Sequence, residues 1–240
     1  MTDFMQNFQL DEKRFLALLE KMINNAAAVQ VVWCDASDSQ PCLGTASTFV
    51  WHLTATGKLF HSGFPTKTVN AAELAMDAVH AMQDHFYSSF PPHARENDFK
   101  FDSPSSFKPT QMSLPGHGSF NQMPAVAKIS GDCRLTPFYE VEEVMHNMKT
   151  YVEELNKDLS VLPGRGPSKY VVGGIDSAVS LEFNLPFMRG VYVDNASPGY
   201  KALAKAVQDV RGDFAPYAVC GSLPLVGDLK KGGLDLQMIG

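Results

Sequence analysis

The chain has 240 residues, 45% of them hydrophobic, enough for one large domain or two small ones with real cores. Its 26 acidic and 20 Lys/Arg residues leave a net charge of -6 with no basic block, which excludes a general nucleic-acid binder. No run nears the roughly 18 apolar residues of a membrane span, and the start MTDFMQNFQLDEKRF lacks the basic and apolar regions of a signal peptide. Cys34, Cys42, Cys133 and Cys220 stand apart with no C-x-x-C pair, which predicts reduced thiols in a cytoplasmic protein.

Phe15, Leu18, Leu19 and Met22 have helical spacing within 11–23. The apolar run 29–36 then reads as a buried strand. From Thr48 to about Phe60 the pattern alternates, with Trp51, Leu53, Ala55 and Leu59 on one face, as in a half-buried strand or hairpin. A helix over 68–88 follows, its stripe formed by Ala72, Met76, Val79, Met82 and Phe86. Strands are predicted near 105–112 and 123–134, the latter with Ala127, Ile129, Gly131 and Cys133 inward and Lys128, Ser130, Asp132 and Arg134 outward. Thr136-Pro137 offers an N-cap and first-turn proline. The helix after it aligns Val141, Val144, Met148, Val152 and Leu155. A Gly/Pro-rich loop over 163–174 leads to a strand at 179–183.

That order, β-α-β-β-α-β, is the order of a ferredoxin-like split unit, an antiparallel sheet with two helices on one face. Outside it remain the strand near 30–35 and a tail. The tail reads as a helix opened by Ser197-Pro198, a strand at 215–220, a short helix at 223–231 and a strand at 234–240. Such β/α alternation predicts a parallel sheet, which must be covered on both faces. The expected class is α/β: a ferredoxin-like lid over 47–186 inserted into an incomplete parallel-sheet domain, with remnants at 1–46 and 187–240.

Two segments carry ordered motifs. In the first, His61 is followed by Pro65, Asn70 and Ala71; in the second, Gly118, Asn121 and Pro124 precede Asp132, Arg134 and Pro137. With SSFKPTQ, GDCRLTPFYEVEEVM and GSLPLVGDL, these segments resemble the zinc-dependent aminoacylase family that contains acetylornithine deacetylase and succinyl-diaminopimelate desuccinylase. The likeness runs from about residue 30 to the end and is nearest to eukaryotic acetylornithine-deacetylase-like proteins. It implies a lid that dimerises, so a homodimer, and hydrolysis of an N-acyl amino acid such as N-acetylornithine. His61 matches the lid histidine that donates to the oxyanion in the partner's site. Asn121 and Arg134 match substrate-holding positions, a guanidinium being suited to a carboxylate. Gly221 and Ser222 match a loop lining the substrate pocket. Read without the resemblance, His61 is a hydrogen-bonded surface residue, Arg134 a solvated charge paired with Asp132, and Asn121 a turn residue.

The family chemistry uses two metal ions, zinc or cobalt, and a carboxylate that moves the proton. Its ligands include an His-x-Asp pair, yet none of His52, His61, His80, His85, His93, His117 or His146 is followed two positions later by Asp. Glu142-Glu143 and Glu153-Glu154 lie on a helix, where a solvated face is the simpler reading. The expectation is therefore a chain shortened at both ends, with no metal ligands or bound cofactor of its own and inactive alone. The alternative is a non-catalytic dimerisation module or pseudo-enzyme. An RNA-binding sheet is disfavoured, because the outward face at 128–134 carries no aromatics.

Overall fold

The computed structural model describes residues 31–34, 39–116 and 118–240; the helix expected over 11–23 lies outside them. The described chain opens with β1 (Val31–Cys34), β2 (Cys42–Thr45) and β3 (Ser47–Thr56), followed by the two-residue β4 (Phe60–His61). Helix α1 (Ala71–Ser89) and the single-turn α2 (Arg95–Asp98) lead to β5 (Ser106–Ser113), β6 (Gln122–Met123) and β7 (Val126–Leu135). Then come α3 (Val141–Leu155), β8 (Ala178–Phe183), β9 (Val191–Tyr192), α4 (Pro198–Arg211), β10 (Tyr217–Val219), α5 (Val226–Lys231) and β11 (Leu236–Ile239).

The largest sheet is antiparallel with order β5-β7-β3-β8. Its centre is the ten-residue β3–β7 ladder, from Ser47 opposite Leu135 to Thr56 opposite Val126. The inward residues of these strands alternate as their sequence predicts: Phe49, Trp51, Leu53 and Ala55 on β3, and Ala127, Ile129, Gly131 and Cys133 on β7. Trp51 stacks on Phe107 with centroids 4.5 Å apart and planes 6° from parallel. Gly131 makes room for that indole, since a Cβ there would sit 2.1 Å from Trp51 Cζ2. Helices α1 and α3 close this core. Each fully buried aromatic or aliphatic side chain contributes about 1.5–3 kcal/mol.

Asn70 caps α1 by accepting the Ala72 N–H at 3.1 Å. The buried apolar residues of α1 are Ala71, Leu74, Ala75, Ala78, Val79, Met82 and Phe86, with Asp77 buried beside them, so the predicted stripe is displaced at its start. Met76 is exposed and Ala72 half-buried, because Leu74 and Ala78 take the inward direction at that end. Val141, Val144, Met148, Val152 and Leu155 form the buried stripe of α3 as predicted. Two other expectations are corrected. The strand from Thr48 ends at Thr56, where Gly57 turns the chain close against the Val69 carbonyl, and Leu59 beyond it is exposed. Thr136 caps no helix: α3 begins after Glu140, and the Thr136 hydroxyl is engaged with Glu96 and Ser105 instead.

The remaining strands form three small sheets: antiparallel β4–β6, β1 parallel to β11, and β10-β2-β9, in which β10 is parallel and β9 antiparallel to β2. The last two belong to a second core. Cys42, Leu43, Val191, Val193, Ala218, Val226, Leu236 and Met238 make their core, with α4 packing Leu203, Ala206 and Val207 on Ile239. As the sequence predicts, Ser197 and Pro198 open α4, with Ser197 capping it through the Tyr200 N–H; Gly212 is left-handed at its end. The short strands β2 and β9 were not legible as elements. The chain crosses into the large sheet at Ala46 and returns near Gly190. There Thr48 and Met188 exchange backbone hydrogen bonds of 2.9 and 3.1 Å, and the Gly190 N–H donates to Ser47 Oγ at 2.8 Å. Among the described residues no helix is long and apolar enough to cross a membrane.

Candidate functional site

Strand β7 projects Asp132 and Arg134 from its outer face at the end next to the crossover. Thr48 is directly opposite Arg134 in the ladder. The Arg134 Nε donates to Asp132 Oδ2 at 2.6 Å, and the Thr48 hydroxyl donates to the other oxygen, Oδ1, at 2.9 Å. From the far end of the sequence, Ser222 meets Arg134 Nη1 at 3.4 Å. Its neighbour Gly221 is tied down by its carbonyl, which accepts the Ala46 N–H at 2.8 Å. Three segments distant in sequence thus converge around one guanidinium, whose Nη2 has no partner among the described residues. That nitrogen is free to donate a charge-assisted hydrogen bond to a ligand carboxylate.

Buried contacts hold this end of β7 in place. Just beyond Arg134, Thr136 donates from its hydroxyl to Glu96 Oε1 at 2.8 Å and from its N–H to Ser105 Oγ at 3.0 Å. Arg95 lies 4.4 Å from the Tyr192 ring centroid, 5.0 Å from Phe138 and 5.2 Å from Phe99, joining α2, the β7–α3 turn and β9. Cys220, beside Gly221, donates from Sγ to the Ser103 carbonyl at 2.9 Å. Burial, reinforced by the Glu96 carboxylate, pushes its thiol up, so it is held as the unreactive thiol.

His61 and Asn121 lie beyond the other end of this sheet, at the separate two-stranded β4–β6 sheet. The β4–β6 pair sets His61 opposite Gln122, and the Ser62 N–H donates to the Asn121 carbonyl at 2.8 Å. Both residues are exposed. Arg134 and Val126 are eight residues apart on β7, a span of roughly 25 Å at strand rise. The structure therefore brings together Arg134, Gly221 and Ser222 as one group, and His61 with Asn121 as another, but not the two groups with each other. Thr48, which completes the Asp132 bridge, was missed by sequence reading. Its position in an alternating strand carries no signal for that contact.

Among the described residues no group of three or more His, Cys, Asp or Glu side chains is placed to hold a metal ion. His85 is engaged with Asn147 at 2.8 Å and stacked on Tyr151. Glu142, Glu143, Glu153 and Glu154 are exposed, and Glu142 pairs with Arg189, whose hydrogen bond holds its carboxyl low.

Comparison with known proteins agrees with this architecture. Residues 44–160 match the family model described as the peptidase dimerisation domain, M20_dimer. The chain is 42% identical over 224 residues to an acetylornithine deacetylase of Arabidopsis thaliana, covering 92% of this chain and 50% of the relative. It is also 42% identical over 217 residues to the acetylornithine deacetylase of Dictyostelium discoideum, covering 88% of this chain and 48% of that protein. The chain thus spans about half the length of the curated relatives it matches.

Similar folds include an aminopeptidase from Bacillus cereus, with TM-score 0.61, 14% identity and coverage of 93% of this chain and 52% of that one. An M20 family metallo-carboxypeptidase from Sulfolobus solfataricus aligns with TM-score 0.58 and 14% identity, over 83% of this chain and 59% of that one. A di-peptidase from Saccharomyces cerevisiae gives 0.59 at 13% identity, over 95% and 55% of the two chains. Residues 44–160 are thus similar to the peptidase dimerisation domain, within a chain similar to an acetylornithine deacetylase over 92% of its length.

Proposed function

We propose that this chain provides the lid and part of the α/β domain of an acetylornithine-deacetylase-like amidohydrolase that acts in the cytoplasm on an N-acyl amino acid such as N-acetylornithine. The observation carrying this reading is the guanidinium of Arg134, held by Asp132 and Ser222 with one nitrogen free for a ligand. On this reading Arg134 grips the substrate carboxylate, and Gly221 and Ser222 line the pocket beside it. The strand order β5-β7-β3-β8 supports a ferredoxin-like unit over 47–186, flanked by α/β segments over 1–46 and 187–240.

His61 and Asn121 enter the same site from a second copy. Their place at the opposite end of the sheet from Arg134 gives one copy no route to unite them, and the match to a dimerisation domain supports a homodimer. In the pair, His61 donates to the oxyanion that forms when the amide carbonyl is attacked, and Asn121 helps hold the substrate. Loss of one such donor costs about a hundred- to thousand-fold in kcat. The resemblance implies zinc or cobalt for a full-length protein, where such an ion would supply a metal-bound hydroxide; the residues described here offer no donor set for it.

The test is titration of the purified chain with N-acetylornithine while following backbone amide shifts. Movement of the Arg134 and Ser222 signals, abolished in Arg134→Ala, is the expected result; an unresponsive spectrum overturns the assignment. A non-catalytic dimerisation module is the second reading, favoured by the missing metal donor set among the described residues. It is distinguished by assaying acetate release with added zinc or cobalt and by sedimentation at several concentrations. Acetate release excludes this second reading, and a strictly monomeric species excludes both the module and the shared site.

A further inference from the structure

We propose that Gly63 is a positioning residue for His61, fixing both the direction of the imidazole and the nitrogen that carries its proton. Three successive backbone N–H groups are committed in the turn after β4. Ser62 donates to the Asn121 carbonyl at 2.8 Å, Gly63 to His61 Nδ1 at 3.0 Å, and Phe64 to the His61 carbonyl at 3.0 Å. The side chain of His61 thus behaves as an Asx side chain does at the head of a turn, accepting the N–H two residues on.

A backbone N–H can only donate, so Nδ1 must present its lone pair. The neutral ring then carries its proton on Nε2, the atom pointing away from the turn. Such a ring donates a hydrogen bond from Nε2 and has no lone pair there with which to take a proton. The arrangement suits a donor to a developing negative charge and is unsuited to a general base. The Phe64 ring stands edge-on at 5.8 Å and borders the imidazole on one side.

The position is also tight for a side chain, which would displace the imidazole by a few tenths of an ångström. A Cβ on Gly63 would lie 3.1 Å from Nδ1 and 3.3 Å from Cε1 of His61, closer than ordinary van der Waals contact. Gly63 has no left-handed backbone, so the demand is for space beside the imidazole rather than for an unusual dihedral. Alanine retains the N–H but pushes the ring off it.

This inference rests on the reading of His61 as an oxyanion donor, yet its test needs no activity. Ring 15N spectra of the intact chain are recorded at a pH where imidazole is neutral, with His61 assigned by its loss in His61→Gln. The expected wild-type signature is a protonated Nε2 and an unprotonated, hydrogen-bonded Nδ1, with the Gly63 amide protected from exchange. In Gly63→Ala the Nδ1 signal moves toward that of free imidazole and the protection of residue 63 is lost, whereas Ser62→Ala changes neither. A protonated Nδ1 in the wild type, or an unchanged ring spectrum in folded Gly63→Ala, overturns the proposal. Should the alanine variant fail to fold, the wild-type tautomer and exchange data still decide it. A correct tautomer with no substrate response at Arg134 would instead count against the hydrolase reading alone.

Discussion

Arg134 and Thr48 face each other across the β3–β7 ladder and share one carboxylate: Asp132 accepts from Arg134 Nε at 2.6 Å and from the Thr48 hydroxyl at 2.9 Å. The bridge is partly solvated, with Arg134 and Asp132 side chains 36% and 30% exposed, so its worth to stability is at most about 1 kcal/mol. Its consequence is orientation. Arg134→Lys should unfold in urea within about 1 kcal/mol of wild type; on the proposed role of Arg134 it should also lose at least about tenfold in affinity for N-acetylornithine, because an ammonium cannot reproduce the planar guanidinium. Calorimetric titration beside urea unfolding checks both halves.

Gly131 lies beneath the Trp51 indole, and a Cβ there would also meet the Lys108 carbonyl at 2.3 Å. Neither the central strand nor a stacked ring can retreat cheaply. Gly131→Ala should therefore cost about 3 kcal/mol or more, at the upper end of overpacking effects. A shift of the urea midpoint with unchanged slope is the expected signature, and a midpoint within error of wild type would refute the packing account.

Asp77, on the buried face of α1, accepts from Arg165 Nε at 2.9 Å and from the Tyr170 hydroxyl at 2.7 Å, tethering the Gly/Pro-rich loop to the helix. Arg165 is about half exposed and can rehydrate, whereas Tyr170 is buried. Asp77→Ala should cost about 1–3 kcal/mol, chiefly for the stranded hydroxyl, and free the loop. Faster amide exchange over 163–174 is the observable.

The same contact gives a pH dependence of known sign. Burial, with the hydrogen bond to Asp77 second, raises the Tyr170 phenol well above its ordinary value near 10. The folded state then holds a proton that the unfolded state has released. This contribution is fully present below the ordinary tyrosine value and is lost as pH rises from there toward the folded value. Lysines titrate in the same range, so the quantity to measure is the difference in stability between wild type and Tyr170→Phe. That difference should shift in favour of the variant above about pH 10. A constant difference would contradict the coupling.

Arg95 packs on Phe99, Phe138 and Tyr192, where the large sheet meets the smaller one. Arg95→Ala should cost about 1–2 kcal/mol in this partly desolvated setting. Arg95→Lys should recover only part of it, since a compact ammonium cannot lie flat on several rings. Thermal unfolding of the two variants would show the order; equal melting points for all three proteins would remove the cation–π account.

Local pattern carried much of the architecture because it is set by neighbours in sequence. Alternation in β3 and β7 and the 3.6-residue stripe of α3 name their buried faces without reference to anything distant. The stripe of α1 was harder to read. Its many small residues, Ala71, Ala72, Ala75 and Ala78, leave the direction of burial to the packing partners, and Met76 turned outward. Thr136 misled for a related reason: its sequence context is that of a cap, but the nearby Ser105 and Glu96 claim its hydrogen bonds.

The sequence by itself determined the order of the longer strands and helices, the inward faces of the long strands, and the motif residues His61, Asn121, Arg134, Gly221 and Ser222. Only the tertiary structure decided how those five residues group. Arg134 meets Ser222 across 88 residues of chain because β2 and β3 are continuous and the loop at Gly221 is bonded to their junction at Ala46. His61 and Arg134 are parted because the ladder fixes Arg134 opposite Thr48 near one end and Val126 opposite Thr56 at the other, and His61 lies beyond that second end on the β4–β6 pair. Register is a property of two strands at once, and no window along one of them contains it.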